Sequence, residues 1–142
     1  MKIDRQKVHA KHNGLCAYTG RPLEHDWQVD HVRSKNAWKY YIAGECAQMK
    51  SYEQRDARLK EVDNIENLLP ALRIVNHYKR SLDLEGFRDY MLTFHLRLQK
   101  LPKTTNREKT KERIIYMNKI AELFGIEIDK PFDGKFYFER ME

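Results

Sequence analysis

Asp30 and His31 stand side by side, Asn67 precedes Leu68-Leu69-Pro70, Asn76 follows nine residues after Asn67, and Lys79 follows three residues later. Each of these types is chemically useful. An imidazole titrating near ~6.5 can take a proton from water at neutral pH. Carboxylate and carboxamide oxygens suit a hard cation such as Mg²⁺, which keeps several waters and needs few protein ligands. The set is too rich in oxygen for a structural zinc site. A lysine one turn beyond Asn76 can contact a phosphate. Any one of these elements is common; the ordered set, with a strand or helix context at each step, is much rarer.

The elements that must position them follow from local pattern. Trp27-Gln28-Val29-Asp30-His31-Val32 alternates and reads as a strand. Residues 64–70 form a short extended or turn segment, and a helix is expected over about 71–80, with Asn76 and Lys79 on one face. In a flat strand Asp30 and His31 point to opposite faces. A common site therefore requires the strand to bend or end there, or the site to lie at its rim.

Around this centre, Asp4 can cap a helix over about 5–12 that ends at Asn13-Gly14, and residues 15–24 read as a turn-rich hairpin. Residues 36–61 read as helical, with Trp38, Tyr41, Ile42, Cys46 and Met49 as an irregular apolar stripe. Ser81 or Asp83 caps a helix over about 84–100, closed by Pro102. Thr105 and Glu108 have capping-box spacing for a last helix over about 106–124, with Gly125 as its C-cap. Residues 126–128 and 135–138, around Asp133-Gly134, suggest a terminal hairpin.

The composition bounds the class. Of 142 residues, 41% are hydrophobic and 34% charged, which fits a soluble globular chain and not a disordered one. No apolar run approaches the roughly 20 residues of a membrane span, and the charged N-terminus lacks a signal-peptide stretch. Two cysteines are too few for a disulfide framework, so a reducing, intracellular setting is expected. The basic excess is concentrated. Residues 97–119 hold eight lysines and arginines against only Glu108 and Glu112, and so carry the whole formal charge of +6. Such a stretch attracts polyanions, nucleic acid foremost.

The stretches LCAYTGRPLEHDWQVDHV and DNIENLLPALRIVNHYKRSLDLEGF resemble the HNH endonuclease family, the ββα-metal nucleases. The likeness runs from about Leu15 to Phe87, less an insertion at about 36–61. It implies an α+β fold: a ββα-metal core over about 14–35 and 62–82, a helical insertion, and a C-terminal helical extension over 83–142, all in one domain. It implies that His31 is the general base and that Asn67 holds the loop orienting it. Asp30 and Asn76 would bind one divalent metal, Mg²⁺ foremost, with Mn²⁺ able to substitute. The activity implied is hydrolysis of DNA by a His31-activated water, leaving a 5′-phosphate. One histidine and one metal serve one strand, so a double-strand cut needs a homodimer or two successive nicks. Lys79, His77, Lys103, Arg107 and Lys111 are the expected DNA contacts. The setting implied is the cytoplasm of a bacterial or phage-infected cell, with the gene carried by a phage or mobile element. A non-catalytic nucleic-acid-binding module, or a subunit of a larger DNA-processing complex, using residues 97–119 is the alternative.

Two departures from that family stand out. Many members bind a structural zinc through two Cys-x-x-Cys pairs. Here those positions are Cys16, Thr19, Leu72 and Val75, so no structural zinc is expected, and apolar packing should fill the space. His31 and Asn67 are also 36 residues apart, about twice the spacing of the compact motif. The insertion responsible costs little loop entropy, about 0.6 kcal/mol per doubling of length. It is expected to be a packed excursion with a solvated charged face, with contact to DNA through Lys35, Lys39, Lys50, Arg55 and Arg58, or to a partner, as the alternative; Asp26 and Asp63 are expected to be turn residues.

Overall fold

In the computed structural model, which describes residues 2–141, Gln28–His31 (β1) pairs antiparallel with Leu68–Ala71 (β2). The register matches Asp30 with Leu69 and His31 with Leu68. This pair is the one sheet among the described residues, and the chain is otherwise mostly helical. Pro70 is tolerated within β2 because its polar group points away from β1: its carbonyl accepts from the Ala17 amide at 2.9 Å. Arg73–Lys79 (α5) follows β2 directly and lies against β1.

The N-terminal helix Arg5–Ala10 (α1) starts as expected, with the Asp4 carboxylate accepting from the Gln6 and Lys7 amides. The expected hairpin over 15–24 is reduced to a single bridge between Leu15 and Pro22. The insertion is three short helices: Lys35–Tyr41 (α2), Ala43–Gln48 (α3) and Tyr52–Lys60 (α4). Only Ile42 of its apolar stripe is buried. The insertion is held by local contacts. The Trp38 indole donates to the Arg58 carbonyl at 3.0 Å, and the Arg58 guanidinium pairs with Glu45 and Glu61.

The C-terminal half departs from expectation in three places. The helix expected over 84–100 breaks into Leu84–Leu92 (α6) and Phe94–Gln99 (α7). At the break the Thr93 hydroxyl donates to the Tyr90 carbonyl, so the side chain competes with the helical ladder. The last long helix, Glu108–Phe124 (α8), starts after Arg107 and not after the Thr105 capping box. Thr105 instead accepts from the Arg107 amide in a local turn. Gly125 does close α8, in the left-handed conformation at φ 67°. Third, no terminal hairpin forms. Glu127 and Lys130 make an isolated bridge, and Tyr137–Arg140 is a short helix (α9). The Tyr137 and Phe138 amides are committed elsewhere, donating to the carbonyls of Tyr18 and Ala17.

One apolar core joins these parts. Cys16, Leu72 and Val75 are buried in it. At its centre Phe136 is fully buried, stacks on Phe87 with centroids 5.3 Å apart, and meets Tyr18 edge-on at 5.1 Å. Arg88 clamps the C-terminal segment through Glu139, at 2.6 and 2.7 Å.

Two outcomes test this arrangement. Phe136→Ala should lower unfolding stability by about 3–5 kcal/mol in chemical denaturation; a loss below about 1 kcal/mol would mean the C-terminal segment is not part of the core. The Arg88 hydrogen bonds hold the Glu139 carboxyl below its ordinary value of 4.5. The stability this adds is present above that value and lost as the pH falls through the depressed one. Glu139→Gln should therefore flatten the acid limb of the stability–pH curve, and an unchanged limb would rule the clamp out as a contributor.

Candidate functional site

The site grows out of the pleat of β1. Gln28 and Asp30 face α5, and Asn76 and Lys79 of that helix answer them. The Asn76 side-chain amide donates to Gln28 Oε1 at 2.7 Å, and Lys79 Nζ reaches Asp30 at 3.2 Å. His31 takes the other direction, as alternation along a strand requires.

Asp30 is buried and its carboxylate is fully engaged. Its Oδ2 accepts from the Tyr18 hydroxyl, and the Lys79 ammonium bridges both oxygens. Lys79 is itself only 1% exposed and also donates to the His31 carbonyl at 3.3 Å. Burial pushes the Asp30 carboxyl up from its ordinary value, opposed by the Lys79 charge and by the hydrogen bonds it accepts. Burial, together with the adjacent Asp30 charge, pushes the Tyr18 phenol well up, so it remains a donor. Lys79 is thus turned into the protein, paired with Asp30, and is not presented to a phosphate.

His31 sits at the end of β1 with its ring 19% exposed. Its Nε2 lies 2.8 Å from Asp63 Oδ1. A carboxylate accepts only, so in the neutral ring Nε2 carries the proton and Nδ1 is the acceptor. Nδ1 makes no hydrogen bond among the described residues and is not sealed from solvent. Asn67 ties the flanking backbone together. Its Oδ1 accepts from the Arg33 amide at 2.9 Å, and its Nδ2 donates to the carbonyls of Arg33 and Val62 at 3.0 and 2.7 Å. The segment leaving β1 and the turn that carries Asp63 are therefore held by one side chain.

The side chains of Asp30 and His31 share no hydrogen-bond partner. They lie on opposite sides of the strand, with Asp30 under the helix and His31 against the Glu61–Asp63 turn. Asn76 is half-buried on the Asp30 side, beside Gln28. The donor types Asp30, Asn76 and Gln28 suit a hard cation, but the arrangement does not. The Lys79 ammonium already neutralises Asp30, so a divalent ion must displace it. No cluster of three or more His, Cys, Asp or Glu side chains forms a metal site among the described residues. His77 is exposed on the far side of α5, its ring edge-on to Tyr116. Lys103 and Arg107 are exposed in the segment before α8, and Lys111 pairs with Glu108 at 3.2 Å.

Sequence reasoning missed three participants. Asp63 looked like a turn residue; its position four residues before Asn67, inside the loop Asn67 was expected to hold, is the signal that could have found it. Tyr18 lies within the stretch that carries the family resemblance, yet nothing local marks a phenol that reaches Asp30. Gln28 is two residues before Asp30 and so shares its face.

The buried pair has a clear stability consequence. Lys79→Met alone strands a carboxylate and should cost about 3–5 kcal/mol. The double variant Asp30→Asn/Lys79→Met should recover most of that loss in the same denaturation experiment. Strict additivity would mean that the two groups do not interact. Compared with known proteins, the chain matches no family model, no curated protein and no solved structure.

Proposed function

We propose that the chain is an HNH-type endonuclease, a phosphodiester hydrolase acting on DNA with His31 as its base. The observation that carries this reading is the His31–Asp63 pair at the open end of β1, locked by Asn67 and set within a β1-β2-α5 order that agrees with the resemblance in sequence.

The chemistry follows from the tautomer. A water approaching the phosphorus gives its proton to His31 Nδ1 while its oxygen forms the new bond to phosphorus. The bond from phosphorus to the 3′-oxygen breaks through a pentacoordinate arrangement, and the leaving oxygen takes a proton from solvent, leaving a 5′-phosphate. The imidazolium formed in the step is stabilised by the Asp63 carboxylate on Nε2. Asp63 is a positioning residue: it selects the tautomer and steadies the ring. Asp30 and Asn76 are the ligands the resemblance implies for Mg²⁺ or Mn²⁺, and a cation there requires Lys79 to release Asp30. Exposed Lys103 and Arg107 supply charge for the DNA backbone. Cutting both strands would take a homodimer or two successive nicks.

The occupied Asp30 favours a second reading, a nucleic-acid-binding module that works without metal through the basic 97–119 segment.

Supercoiled-plasmid cleavage with Mg²⁺, Mn²⁺ or EDTA separates the two. Wild type should nick or linearise the plasmid, His31→Ala should abolish this, and Asp63→Asn should slow it by about 10²–10⁴-fold and alter its pH profile. A fully active His31→Ala protein would remove the base assignment. An inert wild type under every metal, with plasmid binding retained, would support the binding module.

A further inference from the structure

Away from the His31 site, a cleft of about 570 Å³ opens between the C-terminal end of α5 and helices α6, α7 and α8. Its size is within the roughly 300–1,000 Å³ of small-ligand sites. Neither His31, Asp30 nor Asn76 lines it. Three guanidiniums do, those of Arg80, Arg97 and Arg113, and no carboxylate is among the lining residues. Three tyrosines, Tyr78, Tyr90 and Tyr116, share the rest of its lining with His77, Ser81, Leu82 and Met117.

The three cations are presented in different ways. Arg97 is built in. Its guanidinium lies over the Tyr90 ring at 3.8 Å and donates to Thr93 Oγ1 at 2.7 Å and to the Tyr90 carbonyl at 2.5 Å, while its Nε is buried without a partner. None of these partners carries a formal charge, so the positive charge of Arg97 is not neutralised. Arg80 and Arg113 make no ion pair among the described residues. Arg80 also sits at φ +56°, ψ −134°, immediately after α5, a conformation that a side-chain-bearing residue adopts only at a cost. Guanidiniums gathered without acids call for a phosphate, which they bind in a forked geometry. Tyrosine walls call for a planar, uncharged partner. The two demands meet in one chemical unit, a nucleotide with its base unpaired; a duplex keeps its bases stacked inside and cannot offer one.

We propose that this cleft binds a nucleotide unit of single-stranded nucleic acid, with the phosphate on Arg80, Arg97 and Arg113 and the base against the tyrosines. The inference does not depend on the nuclease reading, because binding here uses neither His31 nor a metal.

Fluorescence anisotropy in EDTA at low salt, with a labelled ten-nucleotide oligo(dT) and a duplex of equal length, tests it independently of cleavage. Wild type should bind the single strand more tightly than the duplex. Arg80→Gly relieves the backbone conformation while removing the charge, so it should stay folded and still weaken single-strand binding about tenfold. Arg113→Gln should do the same, and Tyr116→Leu should cost about fivefold or more. Lys130→Gln, remote in sequence and equal in charge change, should leave affinity within about twofold. Competition by free dTMP as strong as by the strand, nucleotide for nucleotide, would support the same site with a mononucleotide as its source. Failure of Arg80→Gly and Arg113→Gln to weaken binding, equal loss in Lys130→Gln, duplex bound as tightly as single strand, or full competition by inorganic phosphate would each overturn the proposal.

Discussion

The Asp30 carboxylate is where the fold is tied together. Buried beneath α5, it must be neutralised and hydrogen-bonded or it would not remain ionised there. The ammonium of Lys79 and the hydroxyl of Tyr18 meet that requirement, and they come from two other parts of the chain. Lys79 pins the last turn of α5 to β1. Tyr18 carries the constraint outward, because its ring packs edge-on against Phe87, Phe136 and Phe138. A single acid thus links the first strand, the N-terminal turn, the helix after β2 and the C-terminal segment.

The same constraint separates two roles that adjacent residues would otherwise share. With Asp30 facing the helix, the pleat sends His31 to the other side of β1, where Asp63 of the Glu61–Asp63 turn meets it. Asn67 makes that turn part of the site by holding Arg33 and Val62 through three hydrogen bonds. The insertion between the strands can be long because its two ends are tied here, and the chain between them stabilises itself through Trp38, Arg58, Glu45 and Glu61. Loop closure depends only weakly on the number of residues in between.

The positive charge of the C-terminal half is divided in space. Lys103 and Arg107 are exposed in the segment before α8, whereas Arg97 and Arg113 line a cleft together with Arg80, the residue that follows α5. Arg97 is held there by neutral oxygens and a tyrosine face, so it keeps its charge available without an acid to cancel it. No helix among the described residues is long and apolar enough to cross a membrane.

Much of this was legible in the sequence because it depended on local rules. The strand over Gln28–His31, the Asp4 cap, the helix after Pro70 and the Gly125 stop all follow from residues near one another in the chain. The break at Thr93 and the loss of the terminal hairpin were not legible. Each depends on a competition for hydrogen bonds: the Thr93 hydroxyl with its own helix, and the 137–138 amides with the distant carbonyls of residues 17–18. The sequence determined which side chains with useful chemistry are present, and the alternation that sets Asp30 and His31 apart. Only the tertiary structure decided their partners, Lys79 and Tyr18 for one and Asp63 for the other. Those pairings depend on which groups burial brings together across 12 to 49 residues of chain, and local periodicity does not encode that.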